Sequence, residues 1–214
     1  MELARRRVIA GIGASAICLP ALARAAPLRS TPPEELGPFY PFARPADQDF
    51  DLTRLPGHRS QAAGTVMELT GRVLHTDGSP VPHALIDLWQ ANAAGRYSSK
   101  LDKNPAPLDP NFQGSAKIRT GRDGGYRILT VKPGAYPAPN GGMRTPHIHF
   151  DVESADCRMA TQMYFPDEPN NAADMLRSTM AGRNRDPATV TCRSLSARSD
   201  GALRFEWIIV LLMA

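Results

Sequence analysis

Histidine is rare in this 214-residue chain, with five in all; cysteine is rarer, with three, and aromatic residues make up only 7%. Charge of one sign is also lacking. The formal net charge is +4, and much of that surplus sits in Arg5, Arg6, Arg7, Arg24 and Arg29 against Glu2 alone. Such a balance lacks the basic patch of a nucleic-acid-binding surface. The apolar stretch from Val8 to Leu22 falls short of the roughly 20 residues that cross a bilayer, so no stable membrane anchor is expected. Internal repeats and low-complexity tracts are missing too, which excludes solenoid and fibrous designs.

What is present fits one domain with a full-sized core, since 42% of residues are apolar. Twenty prolines and seventeen glycines, scattered rather than periodic, suit many turns between short strands, so the composition leans all-β. The opening "MELARRRVIAGIGASAICLPALARAAPL" pairs a basic start with a moderately apolar stretch and a small-residue Ala23-Arg24-Ala25 pattern. It reads as a cleavable export signal over residues 1–26, cut near Ala25 or Ala26, and the adjacent arginines fit the twin-arginine type. The expected location is therefore periplasmic. Cys157 and Cys192 would remain, either as a disulfide or as two separate small buried residues.

Residues 27–61 are Pro-rich and lack periodicity, and are expected to form an extended arm laid over a domain at 62–214. In that domain "TVMELTGRVL", "HALIDLWQ", "GYRILTV", "RTPHIHFDVE", "ATQMYF" and "LRFEWIIVLL" read as strands separated by turn residues, the pattern of a β-sandwich. A short helix is expected around Ala172 to Met180. Between the second and third strands, "QANAAGRYSSKLDKNPAPLDPNFQG" is a loop long enough to suggest a functional role.

Two of the five histidines fall at 147 and 149. In a strand His147, His149 and Asp151 share one face while Ile148, Phe150 and Val152 share the other, which reads as core. The histidines would stand about 7 Å apart at Cα, close enough for both rings to reach one ion. A solvent-facing polar pair is the alternative, and the motif alone leaves both open.

Four longer stretches, "DLWQANAAGRYSS", "LDPNFQG", "VKPGAYPAPNGGMRTPHIHFDV" and "TQMYFPDEP", together with "TPPEELGPFYP" in the arm, resemble the intradiol ring-cleavage dioxygenases, most closely those of the protocatechuate 3,4-dioxygenase β-subunit type. The resemblance implies a β-sandwich with long active-site loops and a non-haem Fe(III) held by Tyr97, Tyr136, His147 and His149. Phenolate oxygens are hard donors that favour the ferric state, and imidazoles complete a mixed shell with room for another ligand. It further implies that a catecholic substrate displaces Tyr136, that O2 opens the ring between the hydroxylated carbons, and that a cis,cis-muconate-type diacid results. Arg144 would stabilise charge pushed into the ring, and Gln162 would hydrogen-bond near the oxygen site. A homo- or hetero-oligomer is compatible with this resemblance.

One departure bears on substrate. Where the protocatechuate enzymes carry Trp-Arg after the Tyr-Pro pair, this chain has Ala138 and Pro139, a smaller and less basic pocket wall. Tyr40 of the arm is a further residue expected near the substrate. Two other readings stand beside this one: a transthyretin-like or immunoglobulin-like binding module on which the histidines are incidental, and a zinc hydrolase with Asp151 as third ligand.

Overall fold

The protein is described by a computed structural model covering residues 26–42, 44, 48–138, 141–180 and 185–213. The expected signal segment, apart from its last residue, and Pro139 lie outside these residues. Period-two alternation builds ten strands: β1 (Val66–His75), β2 (Leu85–Gln90), β3 (Ser115–Arg119), β4 (Gly125–Val131), β5 (Tyr136–Pro137), β6 (Met143–Arg144), β7 (His147–Glu153), β8 (Arg158–Tyr164), β9 (Arg193–Leu195) and β10 (Leu203–Leu211). One sheet runs β4-β1-β10-β9 and the other β3-β2-β7-β8, with β5 and β6 forming a separate hairpin ladder. Among the strands of the described residues β1 and β10 pair in parallel and the other ladders are antiparallel.

The two sheets face each other through their apolar sides. Met67, Leu69 and Val73 of β1 and Phe205, Trp207 and Ile209 of β10 meet Ile86 and Leu88 of β2 and Ile148, Phe150 and Val152 of β7. Phe150 and Trp207 touch edge to face across this gap, their rings 5.0 Å apart. Burying each such side chain contributes about 1.5–3 kcal/mol, so the sandwich holds β7 firmly from its core side.

The other side of β7 is also covered. The arm runs across both sheets: Leu28 N–H donates to the Thr76 carbonyl, Thr31 N–H to Val210, and Glu34 N–H to Ala160. Further on, Leu52 N–H of the arm donates to the Leu129 carbonyl of β4, and Leu129 N–H donates back to the Phe50 carbonyl. Six strands were expected; β3, β5, β6 and β9 were not. Each is five residues or shorter, too brief for periodicity to rise above its loop. The expected helix shrinks to α1 (Met175–Ser178), with Asp174 as its N-cap. Cys157 and Cys192 are free thiols, the second buried.

Candidate active site

Alternation along β7 turns His147 and His149 away from the sandwich core and under the arm. Strand register then chooses their neighbours: His149 faces Trp89 of β2 and Gln162 of β8, and His147 faces Tyr164. The Trp89 ring lies on His149 with centroids 4.8 Å apart and planes 10° from parallel. Both histidines are at most 2% exposed, so the solvent-facing alternative does not hold.

Tyr97 and Tyr136 arrive from two loops that the fold presses together. Gly95 has φ +79°, and a Cβ there would meet the Ala135 carbonyl oxygen at 2.3 Å; only glycine permits this approach. The Asn92 side chain holds the first loop by accepting from Ala94 and Arg96 N–H, and the Tyr97 N–H donates to Asp102. The Tyr97 and Tyr136 rings meet edge to face at 5.4 Å.

Around His147 Nε2 stand Tyr97 Oη at 3.4 Å, Tyr136 Oη at 3.3 Å and His149 Nε2 at 3.2 Å. His147 Nδ1 is 2.7 Å from the Thr145 carbonyl; a carbonyl only accepts, so Nδ1 carries the proton and Nε2 offers its lone pair. One lone pair serves one good hydrogen bond, yet three polar atoms crowd it. Donors about 2.0–2.2 Å from a shared cation stand roughly 3–3.5 Å from each other, which is the spacing seen. The residues therefore fit a metal ion. Burial pushes the Tyr97 hydroxyl well above the usual tyrosine range, helped by Tyr136, and raises Tyr136 as well. Burial also holds both imidazoles well below the usual histidine range, aided by Arg144 at His147 and by His147 and Arg144 at His149. The cluster thus keeps neutral imidazoles ready as ligands and needs a nearby positive charge before the phenols ionise.

Arg144 lies beside this cluster at 8% exposure. Its Nε donates to Asp174 Oδ2 at 2.9 Å and its Nη2 to Gln162 Oε1 at 2.7 Å, with Tyr164 Oη 3.4 Å away. Burial alone would ease its proton off, but Tyr136, Tyr164 and Asp174 together push it above the ordinary arginine range, so it stays cationic. Gln162 is 1% exposed, and its amide donates to the Glu35 carbonyl of the arm.

A cavity of about 450 Å³ opens onto these groups, lined by Glu35, Gly37, Pro38, Phe39, Tyr136, Ala138, Arg144, His149, Gln162, Met175 and Leu176. Tyr136 and His149 border it, while Tyr97 and His147 are absent from its wall. Tyr40, expected at the substrate, is not in the wall either. Its hydroxyl donates to Asp87, which also binds Arg44, and Pro38 and Phe39 line the cavity instead. A larger hollow of about 1000 Å³ lies beside Thr70, Arg72, Arg127 and Glu206, away from the Tyr and His donors. Asp151 is engaged by Arg158 at 2.6 Å, and no group of three His, Cys, Asp or Glu suited to a metal occurs among the described residues. The zinc reading therefore loses its third ligand.

Several residues of the site were not foreseen. Trp89 pairs with His149 through the register between β2 and β7, which no local pattern of either strand announces. Thr145, Tyr164 and Asp174 act through contacts that no local motif announces; for Asp174 the one available signal was an acidic residue ahead of a short helical stretch. Gly37, at φ +74° with its missing Cβ 3.3 Å from the His149 ring, had a signal only as a turn residue.

A family model described as Dioxygenase matches residues 36–211. The chain is 40% identical over 190 residues to the protocatechuate 3,4-dioxygenase beta chain of Burkholderia cepacia, covering 86% of this chain and 80% of that one. The dioxygenase domain of a carbohydrate-binding fusion protein from Streptomyces sp. SirexAA-E is similar at TM-score 0.66 and 27% identity, over 87% of this chain and 100% of that one. The fold also matches 3-chlorocatechol 1,2-dioxygenase from Rhodococcus opacus 1CP at TM-score 0.68 and 20% identity, over 87% and 74% of the two chains.

Proposed function

This chain belongs to the intradiol ring-cleavage dioxygenases, and on that premise we propose that it holds a non-haem ferric ion with Tyr97, Tyr136, His147 and His149 and cleaves a catecholic aromatic with O2 to a cis,cis-muconate-type diacid. The convergence of four donor atoms on one buried point carries the reading. When bound, a ferric ion supplies a Lewis acid that favours the doubly deprotonated catechol and its reaction with O2.

The protein's own groups do the rest. Tyr136 borders the cavity, so its Oη is the acceptor for a substrate hydroxyl proton. Tyr97, His147 and His149 remain as fixed ligands, two of them oriented from behind by the Thr145 carbonyl and the Trp89 ring. Arg144 keeps a positive charge beside the ring, in a dry site where such a charge counts for more than in water. Gln162, anchored to Arg144 and to the arm, presents its amide at the cavity wall. Gly37, Pro38 and Phe39 give the cavity the arm's part of its wall. Export through the twin-arginine-type segment completes the proposal, and cell fractionation checks it.

The test is direct. Protein expressed with iron should carry about one ferric ion, show a visible tyrosinate charge-transfer colour, and consume O2 with a panel of catechols, the product being identified as ring-opened diacid. A colourless protein that takes up no iron and no O2 sinks the reading.

A further inference from the structure

Asp174 is completely buried and accepts four hydrogen bonds. Oδ1 takes the N–H groups of Leu176 and Arg177 at 3.0 and 3.1 Å, an N-cap for α1. Oδ2 takes Arg144 Nε at 2.9 Å and Thr145 N–H at 2.8 Å. Capping needs only one acceptor atom, which asparagine supplies as well as aspartate. The second oxygen is therefore surplus to the helix and points at the reactive cluster. Two consequences follow from its partners. Thr145 is the residue whose carbonyl receives His147 Nδ1–H at 2.7 Å, and Met175 and Leu176, just after the cap, line the cavity.

We propose that Asp174 is a positioning residue whose single carboxylate locks the α1 wall of the cavity to Arg144 and to the entry of the histidine strand, and so sets where the substrate ring lies. The proposal rests on the ring-cleavage reading of the site. Its chemistry calls for a carboxylate rather than an amide, because the Oδ2 position must accept from two donors, one of them a guanidinium. Asp174→Asn presents an NH2 group either to those donors or, if flipped, to the helix N–H groups. One set of bonds is lost in either orientation. Asp174→Glu keeps the charge on a longer stem.

Full-length protein loaded with iron is compared as parent, Asp174→Asn and Asp174→Glu, with kcat and KM measured per bound iron for catechol and 4-methylcatechol. The expected result for Asp174→Asn is a kcat lower by about 10- to 100-fold, less than the roughly 100- to 1000-fold lost when a preorganised donor is itself removed, together with an altered KM ratio between the two substrates, and partial rescue in Asp174→Glu. A structural role alone would lower the thermal midpoint and leave kcat per iron within twofold, which overturns the proposal.

A second readout needs neither iron nor turnover. In metal-free protein the His147 Nδ1–H proton resonance should shift or exchange faster in Asp174→Asn, but not in Leu176→Gly, which frays α1 while leaving Oδ2 in place. An unmoved resonance in Asp174→Asn counts against the proposal. Should Asp174→Asn not fold, Arg144→Lys serves: lysine keeps the charge without the Nε contact, and turnover within twofold of the parent overturns the idea. A parent that binds no iron and consumes no O2 defeats the ring-cleavage reading itself, with the resonance experiment still deciding the role of Asp174.

Discussion

The flat contact between Trp89 and His149 joins neighbouring strands directly across from each other, so the face of an aromatic ring packs this imidazole on one side. Removing it leaves a void beside a buried ring. Trp89→Ala should cost about 3–5 kcal/mol of stability and weaken iron retention. Denaturant unfolding of the metal-free protein and metal analysis after dialysis check both effects. Full iron occupancy in the variant would show that His149 holds its place without the Trp89 ring.

His147→Ala or His149→Ala should each abolish iron retention, colour and turnover, since the surrounding groups are already committed and offer no replacement donor. Metal content per chain is the measurement. A variant that retains stoichiometric iron removes that residue from the ligand set.

Arg144→Ala should keep iron and colour yet lose turnover by about a hundredfold, the order expected for one preorganised charge. It also strands the Asp174 carboxylate in the interior, so stability should fall by about 3–5 kcal/mol. Rates expressed per bound iron, below the lowered melting point, separate the two effects. Iron loss with an unchanged rate per iron contradicts the catalytic role.

Substrate preference follows from the wall. Among the described lining residues the charged side chains are Arg144, already bonded to Asp174 and Gln162, and the acidic Glu35. A ring carboxylate finds no uncommitted arginine there, and a charge-assisted hydrogen bond of that kind is worth about 1.5–3 kcal/mol. Protocatechuate should therefore hold no large advantage over catechol or 4-methylcatechol in kcat/KM, and Ala138→Trp with Pro139→Arg should move preference toward it. A hundredfold preference for protocatechuate in the parent would reveal another carboxylate contact.

The metal-free protein should also be sensitive to acid. His147 and His149 are held neutral by burial, with pKa values below their unfolded ones, so the unfolded chain binds more protons once pH drops below about 6.5. Stability is full above that pH and should decline below it by up to about 1.4 kcal/mol per pH unit for each histidine. Melting curves from pH 8 to 5 test this, and His149→Ala should flatten the slope. An unchanged slope in that variant assigns the acid sensitivity to other groups.

Much of the sandwich was legible because long strands such as β1, β7 and β10 alternate over seven to ten residues, enough for a period of two to be read. The side of β7 that bears the histidines was legible for the same reason, and the loop tyrosines through resemblance of motifs. What escaped depends on distance in sequence. The stacking of Trp89, the surplus oxygen of Asp174 and the displacement of Tyr40 by Pro38 and Phe39 are set by strand register and by the path of the arm, and neither leaves a local pattern. Tyr40 failed as a pocket residue because Asp87, buried with a charge to satisfy, captures its hydroxyl.

The arm precedes the strand it binds by a long way: Thr31 pairs with Val210 in both directions, through its N–H and through its hydroxyl, across 179 positions of sequence. Gly37, Pro38 and Phe39, which line the cavity, follow that attachment and a second one, from Glu34 N–H to the Ala160 carbonyl. Contacts of such long sequence separation form slowly, after local structure. A growing chain on the ribosome therefore lacks the Val210 anchor of its arm until β10 has been made. Without that anchor, the part of the arm over the histidines depends on its bonds to β8, at Ala160, Thr161 and Gln162.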